Sequence, residues 1–142
     1  MRALLDVNVL IALLDADHVN HKIAWAWLED NIASGWATCP ITENGCLRIM
    51  SQPGYPHHFT SVEVAQQVRA ATNTQYHEFW PDTLSILDQH VIDWKSVIGP
   101  KQLTDIYLLA LAVKNNGRFV TFDKKITSSL VVGADSQHYE IV

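Results

Sequence analysis

The stretch that decides the reading is MRALLDVNVLIALLDADH, residues 1–18. Residues 3–7, ALLDV, read as a short buried strand, and Leu10, Ile11, Leu13 and Leu14 then recur at helical spacing. Asp6 and Asn8 interrupt this apolar run where strand gives way to helix. A carboxylate in a buried strand costs roughly several kcal/mol unless it is paired or metal-bound. The rest of the chain has to say what makes Asp6 tolerable.

Working outward, the same strand-then-helix pattern repeats. Asn20 is the expected N-cap of a helix over residues 21–32, with Ile23, Ala24, Trp27 and Leu28 on its apolar side. Ser34-Gly35 ends that helix, and WATC (36–39) reads as a second strand. Pro40 opens a helix through ITENGCLRIMSQ, with Ile41, Leu47, Ile49 and Met50 as apolar anchors. QPGYPHH (52–58) is a loop, Ser61 is the expected cap of VEVAQQVRAAT, and HEFWP (77–81) suggests an edge strand stopped by Pro81. Residues 82–100 carry no clear period, although LSIL (84–87) could make a helical turn.

QLTDIYLLALAVKNNG (102–117) reads as a helix capped by Thr104 and stopped at Asn116-Gly117. It is apolar nearly all round and should be packed on more than one side. RFVTFD (118–123) is the clearest late strand, and HYEIV (138–142) suggests another. Strands alternating with helices predict an α/β fold with a central, mainly parallel sheet flanked by helices. The 142 residues suit one domain spanning 1–142.

Composition narrows the class. Hydrophobic residues make up 48% and charged residues 18%, which excludes disorder as the main state. Cys39 and Cys46 form neither a disulfide framework nor the short-spaced pairs of a zinc site, so a reducing compartment is expected. No apolar run is long enough for a membrane span, and the N-terminus does not read as a signal peptide. A cytoplasmic protein with no membrane partner is the expectation.

Four acids occupy comparable places. Asp6 ends the first strand, Glu43 and Asp105 sit in first helical turns, and Asp123 follows RFVTF. In an open parallel sheet, strand carboxyl ends and the following helix N-termini share one edge. Each acid also has a purely structural explanation: first-turn acids complement the helix dipole, and Asp123 before Lys124 suits a turn. Four together, however, repel one another unless a counter-charge is present. An all-oxygen set suits Mg²⁺ or Mn²⁺ rather than zinc, and such ions serve phosphodiester hydrolysis.

LLDVNVLIALLD, PITENGCLRIM, LTDIYLLALAV and RFVTFD resemble, in that order, the acidic blocks of PIN-domain nucleases. The resemblance is closest to VapC-type toxins of prokaryotic toxin–antitoxin modules, covers most of the chain, and is poorest across residues 52–100. It implies a PIN-like fold and a Mg²⁺-dependent endoribonuclease, with Mn²⁺ as a possible substitute. Asp6, Glu43, Asp105 and Asp123 match the family's catalytic, metal-holding quartet, and none of the four is replaced. Asn8 and Thr121 match supporting polar positions, and Thr104 before Asp105 fits the same pattern. The implied reaction is metal-assisted attack of water on RNA, leaving a 5′-phosphate and a 3′-hydroxyl. The implied partners are an RNA substrate, a cognate antitoxin whose tail blocks the acids, and a second copy in a homodimer. Ile11, Leu14, Trp25 and Leu28 are the candidate docking surface.

The net charge of −5 argues against a nucleic-acid binder, but setting the four site carboxylates aside leaves −1. Arg48, Lys124 and Lys125 lie near the acids in sequence and could contact an RNA backbone, although solvated surface charge explains them equally well. His18, His21, His57 and His58 lack the spacing of a metal site. Trp27 and Trp36 are expected in the core, Trp25 and Trp94 toward solvent or a partner. Gly45 sits in a predicted helix at a cost of about 1 kcal/mol, for close approach of substrate or of a packed helix. Two rivals remain: a catalytically silent PIN-like module that binds RNA or protein, and a phosphotransfer enzyme or receiver domain. The latter commonly shows D-x-D where this chain has Asp6-Val7-Asn8.

Overall fold

Strand β1 is only Ala3–Leu5, and period-two alternation in it sorts the core into two layers. Leu4 packs on one face of the sheet with Phe119 and the helix of residues 103–114, whereas Ala3 and Leu5 pack on the other with Val120 and the earlier helices. The computed structural model describes residues 1–97, 99–126 and 128–142. In chain order the remaining elements are α1 (Val7–Leu14), α2 (His21–Asn31), β2 (Trp36–Thr38), α3 (Pro40–Met50) and α4 (Ser61–Thr72). They are followed by β3 (His77–Phe79), α5 (Leu103–Lys114), β4 (Arg118–Thr121) and β5 (Tyr139–Ile141).

The five strands form one sheet in the order β3-β2-β1-β4-β5, and every pair is parallel. Register places Leu4 beside both Ala37 and Phe119, so β1 is buried from both sides and reads as continuous hydrophobe. The chain steps outward from β1 to β2 and β3, then returns to the other side of β1 as β4. The strand order therefore reverses between β1 and β4, where ligands bind in open α/β sheets, outside the strand carboxyl ends.

Most predicted elements form close to their expected bounds, and the differences have local causes. Strand β1 stops at Leu5 because Asp6 turns the chain into α1 (φ −60°, ψ 153°). Helix α4 is capped by Thr60 rather than Ser61. The Thr60 hydroxyl accepts from Glu63 N at 3.1 Å and Glu63 Oε2 accepts from Thr60 N at 2.7 Å, a reciprocal pair that Ser61, already helical, cannot make. Thr104 is likewise not a cap: a 3₁₀ turn, Pro100–Gln102, leads into α5, so Thr104 is its second residue and exposed. LSIL is not helical; residues 82–93 run in turns and bends before a 3₁₀ turn at Trp94–Ser96.

Helix α5 is buried from Ile106 through Ala112, as its all-round apolarity requires. It ends where Asn116 takes a left-handed conformation (φ 53°), and Gly117 N then donates to Ala112 O at 2.8 Å. Gly45 has a packing reason. A Cβ there would meet Val7 Cγ2 at 2.8 Å, so α3 crosses the start of α1 closer than alanine permits. Trp36 is buried as expected, but Trp27 is only half-buried, with its indole donating to Glu140 Oε1 at 2.9 Å. Ile23, expected on the apolar side of α2, is 53% exposed. Trp25 and Trp94 are exposed, and Cys39 and Cys46 are free and buried. Among the described residues no helix is long and apolar enough to cross a membrane.

Candidate active site

Parallel pairing sends every strand's carboxyl end to one edge, and the site is built there. Asp6 is the hinge between β1 and α1 and is 7% exposed. Its amide donates to Val120 O of β4 at 2.9 Å, holding it at the β1/β4 crossover. Its Oδ1 accepts from Val7 N at 2.7 Å, and its Oδ2 accepts from Thr121 Oγ1 at 2.8 Å. Thr121, fully buried at the end of β4, also accepts from Asp123 N at 3.1 Å. One hydroxyl thus ties the first acid to the backbone of the last. Asp6 is tolerable partly because it caps α1, as well as through any cation it holds.

Helix α5 runs antiparallel to the strands, which brings its first-turn Asp105 to the same edge. Electrostatics show that Asp6, Asp105 and Asp123 share a neighbourhood. Burial, then the charges of Asp6 and Asp123, push the Asp105 carboxyl up to about 6. Burial also raises Asp6, against the lowering effect of its bonds from Thr121 and Val7, and the Asp123 charge adds to the rise. These are carboxylates opposed by their own repulsion.

Glu43 is in the first turn of α3, as expected, but it is held differently. Its Oε1 accepts from Thr38 Oγ1 at 2.7 Å, and Thr38 Oγ1 is also 2.8 Å from His77 Nε2. Its charge is felt by His77 and Cys46. Asn8 lies in the first turn of α1 and is exposed, with no hydrogen bond to an acid among the described residues. Thr104 is exposed beside Asp105 and lines a cleft of about 480 Å³ with Val7, Asn44, Arg48 and Asp82. A second cleft, of about 200 Å³, is lined by Asp105, Asp123, Lys101 and Lys125. Of the cations that could contact an RNA backbone, Lys125 therefore flanks Asp105 and Asp123, whereas Arg48 lines the other cleft with Asp82.

The tightest ligand cluster lies elsewhere. Among the described residues, the group of three whose ligand atoms fall within 4.8 Å of one another is Asp15, Asp17 and His57. Asp15 caps the far end of α1, about 12 Å along the helix from its start at roughly 1.5 Å per residue. The acids at the sheet edge form a more open set, as like charges do.

Sequence reasoning overlooked Thr38, His77, Lys101 and Asp82. Thr38 carried a usable signal, because it ends its strand as Thr121 ends β4. His77 reaches Thr38 only through sheet register. Asp82 lies at the same edge just past β3, with its carboxyl raised by partial burial. The expected docking surface needs correction: Ile11 is 2% exposed, packed in the core beneath α1. Trp25 is accessible, and Leu14 and Leu28 are half-buried.

Residues 3–128 match the profile of the PIN domain. Ribonuclease VapC44 of Mycobacterium tuberculosis is 56% identical over 138 residues, 97% of each chain. Ribonuclease VapC39 of the same organism is 41% identical over 134 residues, covering 94% of this chain and 96% of that one. Among solved structures, VapBC2 of Rickettsia felis, bound to a promoter DNA fragment, superposes with a TM-score of 0.66 at 11% identity. That match covers 100% of this chain and 99% of the other. VapC20 of M. tuberculosis, a toxin that cleaves the sarcin–ricin loop, gives a TM-score of 0.59 at 13% identity. It covers 87% of this chain and 91% of that one. At such low identity these two structures show the fold.

Proposed function

This chain belongs to the PIN-domain family, in the branch of the VapC ribonucleases, and from that premise we propose that it is a Mg²⁺-dependent endoribonuclease. In this reading it is the toxin of a toxin–antitoxin pair, acts in the cytoplasm, and forms a homodimer held inactive by a cognate antitoxin. The observation that carries the reading is the shared electrostatic neighbourhood of Asp6, Asp105 and Asp123 at the β1/β4 crossover, with Glu43 in the first turn of the helix that follows β2.

The donor set fits a divalent cation. All four side chains offer hard carboxylate oxygens, which suit Mg²⁺ or Mn²⁺. None of the ion pairs among the described residues involves any of the four. No lysine or arginine among the described residues therefore closes directly onto any of the four carboxylates, which leaves them available to an ion. When bound, the ion would supply Lewis-acid stabilisation of the phosphodiester and of an attacking water.

The chain's own residues do the rest. Asp6 is locked by two hydrogen bonds, so one ligand position is set before anything binds. Asp105 and Asp123 face a cleft whose rim carries Lys101 and Lys125, cations placed to attract an RNA backbone. Arg48 lines a second cleft beside Asn44 and Thr104, and such local cations offset the acidic net charge.

The test is to induce wild type and Asp6→Asn in cells and sequence the RNA ends that carry a 5′-phosphate. New ends with wild type alone support cleavage at the acidic site and identify the substrate. Both proteins accumulating with no new ends favour the silent binding module instead.

A further inference from the structure

Glu43 is the acid of the quartet that the shared electrostatics of Asp6, Asp105 and Asp123 leave out, and the structure gives it a support of its own. Thr38 ends β2 and is fully buried. Residues 36 and 38 point to the same face of the strand. On the neighbouring strand His77 is in register with Trp36, and its ring lies edge-to-face against the Trp36 indole at 4.6 Å. From there Nε2 reaches Thr38 Oγ1 at 2.8 Å, while that hydroxyl lies 2.7 Å from Glu43 Oε1.

The proton count orients this chain of contacts. An ionised carboxylate only accepts, and a threonine hydroxyl has one proton to give. Thr38 therefore donates to Glu43, and the imidazole must carry its proton on Nε2 and donate to Thr38. Glu43 Oε1 is thereby fixed, and Oε2 accepts no hydrogen bond among the described residues. The arrangement parallels the Thr121–Asp6 contact, in which a second buried, strand-ending threonine holds an acid of another element.

We propose that Thr38 and His77 form a relay that positions Glu43 as a ligand for the divalent cation, an inference that rests on the nuclease reading above. Thr38 and His77 are positioning residues: neither offers an atom to the ion, and both decide where the Glu43 carboxylate stands.

The experiment titrates the full-length protein with Mn²⁺, reading free ion by electron paramagnetic resonance, alongside thermal melting of each variant. Thr38→Val should lower Mn²⁺ affinity roughly tenfold, the usual scale for losing a group that orients a ligand, and Thr38→Ser should stay within about twofold of wild type. His77→Gln retains an N–H near the Nε2 position and should bind as wild type does. His77→Phe keeps the ring against Trp36 but removes the donor, and should lose affinity in part. If Thr38→Val fails to fold, the two His77 variants decide the matter.

Wild-type affinity in Thr38→Val or, where that variant does not fold, in His77→Phe overturns the relay. So does an equal loss in Thr38→Ser, which keeps the hydroxyl. Unchanged Mn²⁺ binding in Glu43→Gln defeats the relay and leaves the nuclease reading standing. A wild-type protein that binds no Mn²⁺ defeats both.

Discussion

The Thr121 hydroxyl donates to Asp6 Oδ2 at 2.8 Å and accepts from the Asp123 amide at 3.1 Å, so one buried oxygen sets the spacing of two acids 117 residues apart in sequence. Thr121→Val keeps the shape and removes both hydrogen bonds. It should destabilise the protein by about 1–3 kcal/mol, the scale for leaving a buried polar group unsatisfied, and depress RNA cleavage. Thr121→Ser should retain most of both. Urea denaturation beside a cleavage assay checks the pair.

Asp105 predicts an inverted pH dependence. Its folded-state carboxyl stands at about 6 against an ordinary 3.8, so the folded protein holds the proton more tightly than the unfolded chain does. The stability this confers is present in acid and is lost as pH rises from about 4 to about 6. Asp105→Asn should therefore melt higher than wild type at pH 8 in a chelator, by on the order of 1–2 kcal/mol after discounting for partial exposure. Near pH 4 the two should melt together.

Divalent ions should reverse that order. An ion that binds only the folded state stabilises it by about 2.7 kcal/mol at a hundredfold excess over Kd. Mg²⁺ or Mn²⁺ should raise the melting temperature of wild type and leave Asp6→Asn nearly unmoved. A differential scanning fluorimetry series in metal against chelator measures both.

Gly45→Ala sets two effects against each other. Alanine favours the helix by about 1 kcal/mol, but its Cβ would meet Val7 Cγ2 at 2.8 Å, and valine is stiff at χ1. Overpacking should win, with a net loss of about 1–2 kcal/mol. Because Val7 follows Asp6, cleavage should fall as well. Adding Val7→Ala should recover much of the stability, which a double-mutant cycle would detect.

Lys101 and Lys125 line the cleft beside Asp105 and Asp123. Replacing both with alanine should raise KM for RNA more than it lowers kcat. The salt dependence of binding should also flatten, by about 0.7 in slope for each phosphate that a lysine no longer neutralises. Lys22, on the solvent face of α2, is the control that should change neither.

The four candidate acids stand out in the sequence because three of them are local events. Asp6 interrupts an apolar strand, and Glu43 and Asp105 open helices whose patterns are plain. Cap positions are less so. Ser61 and Thr104 each lie a residue or two inside their helices, because a cap is defined by the dihedral angles where the chain enters the helix. Ile11 is in the core rather than on a docking face, since a short apolar helix does not reveal which of its sides meets the sheet.

Periodicity along the chain was enough to give the βα alternation and the parallel sheet, and residue chemistry was enough to single out Asp6, Glu43, Asp105 and Asp123 as candidates. Only the tertiary structure decided that Asp6, Asp105 and Asp123 share one field while Glu43 is held through Thr38 and His77. Strand order and register decide which side chains from distant segments come within 3 Å of one another, and a hydrogen bond, unlike a hydrophobic period, leaves no trace in the spacing of a single strand.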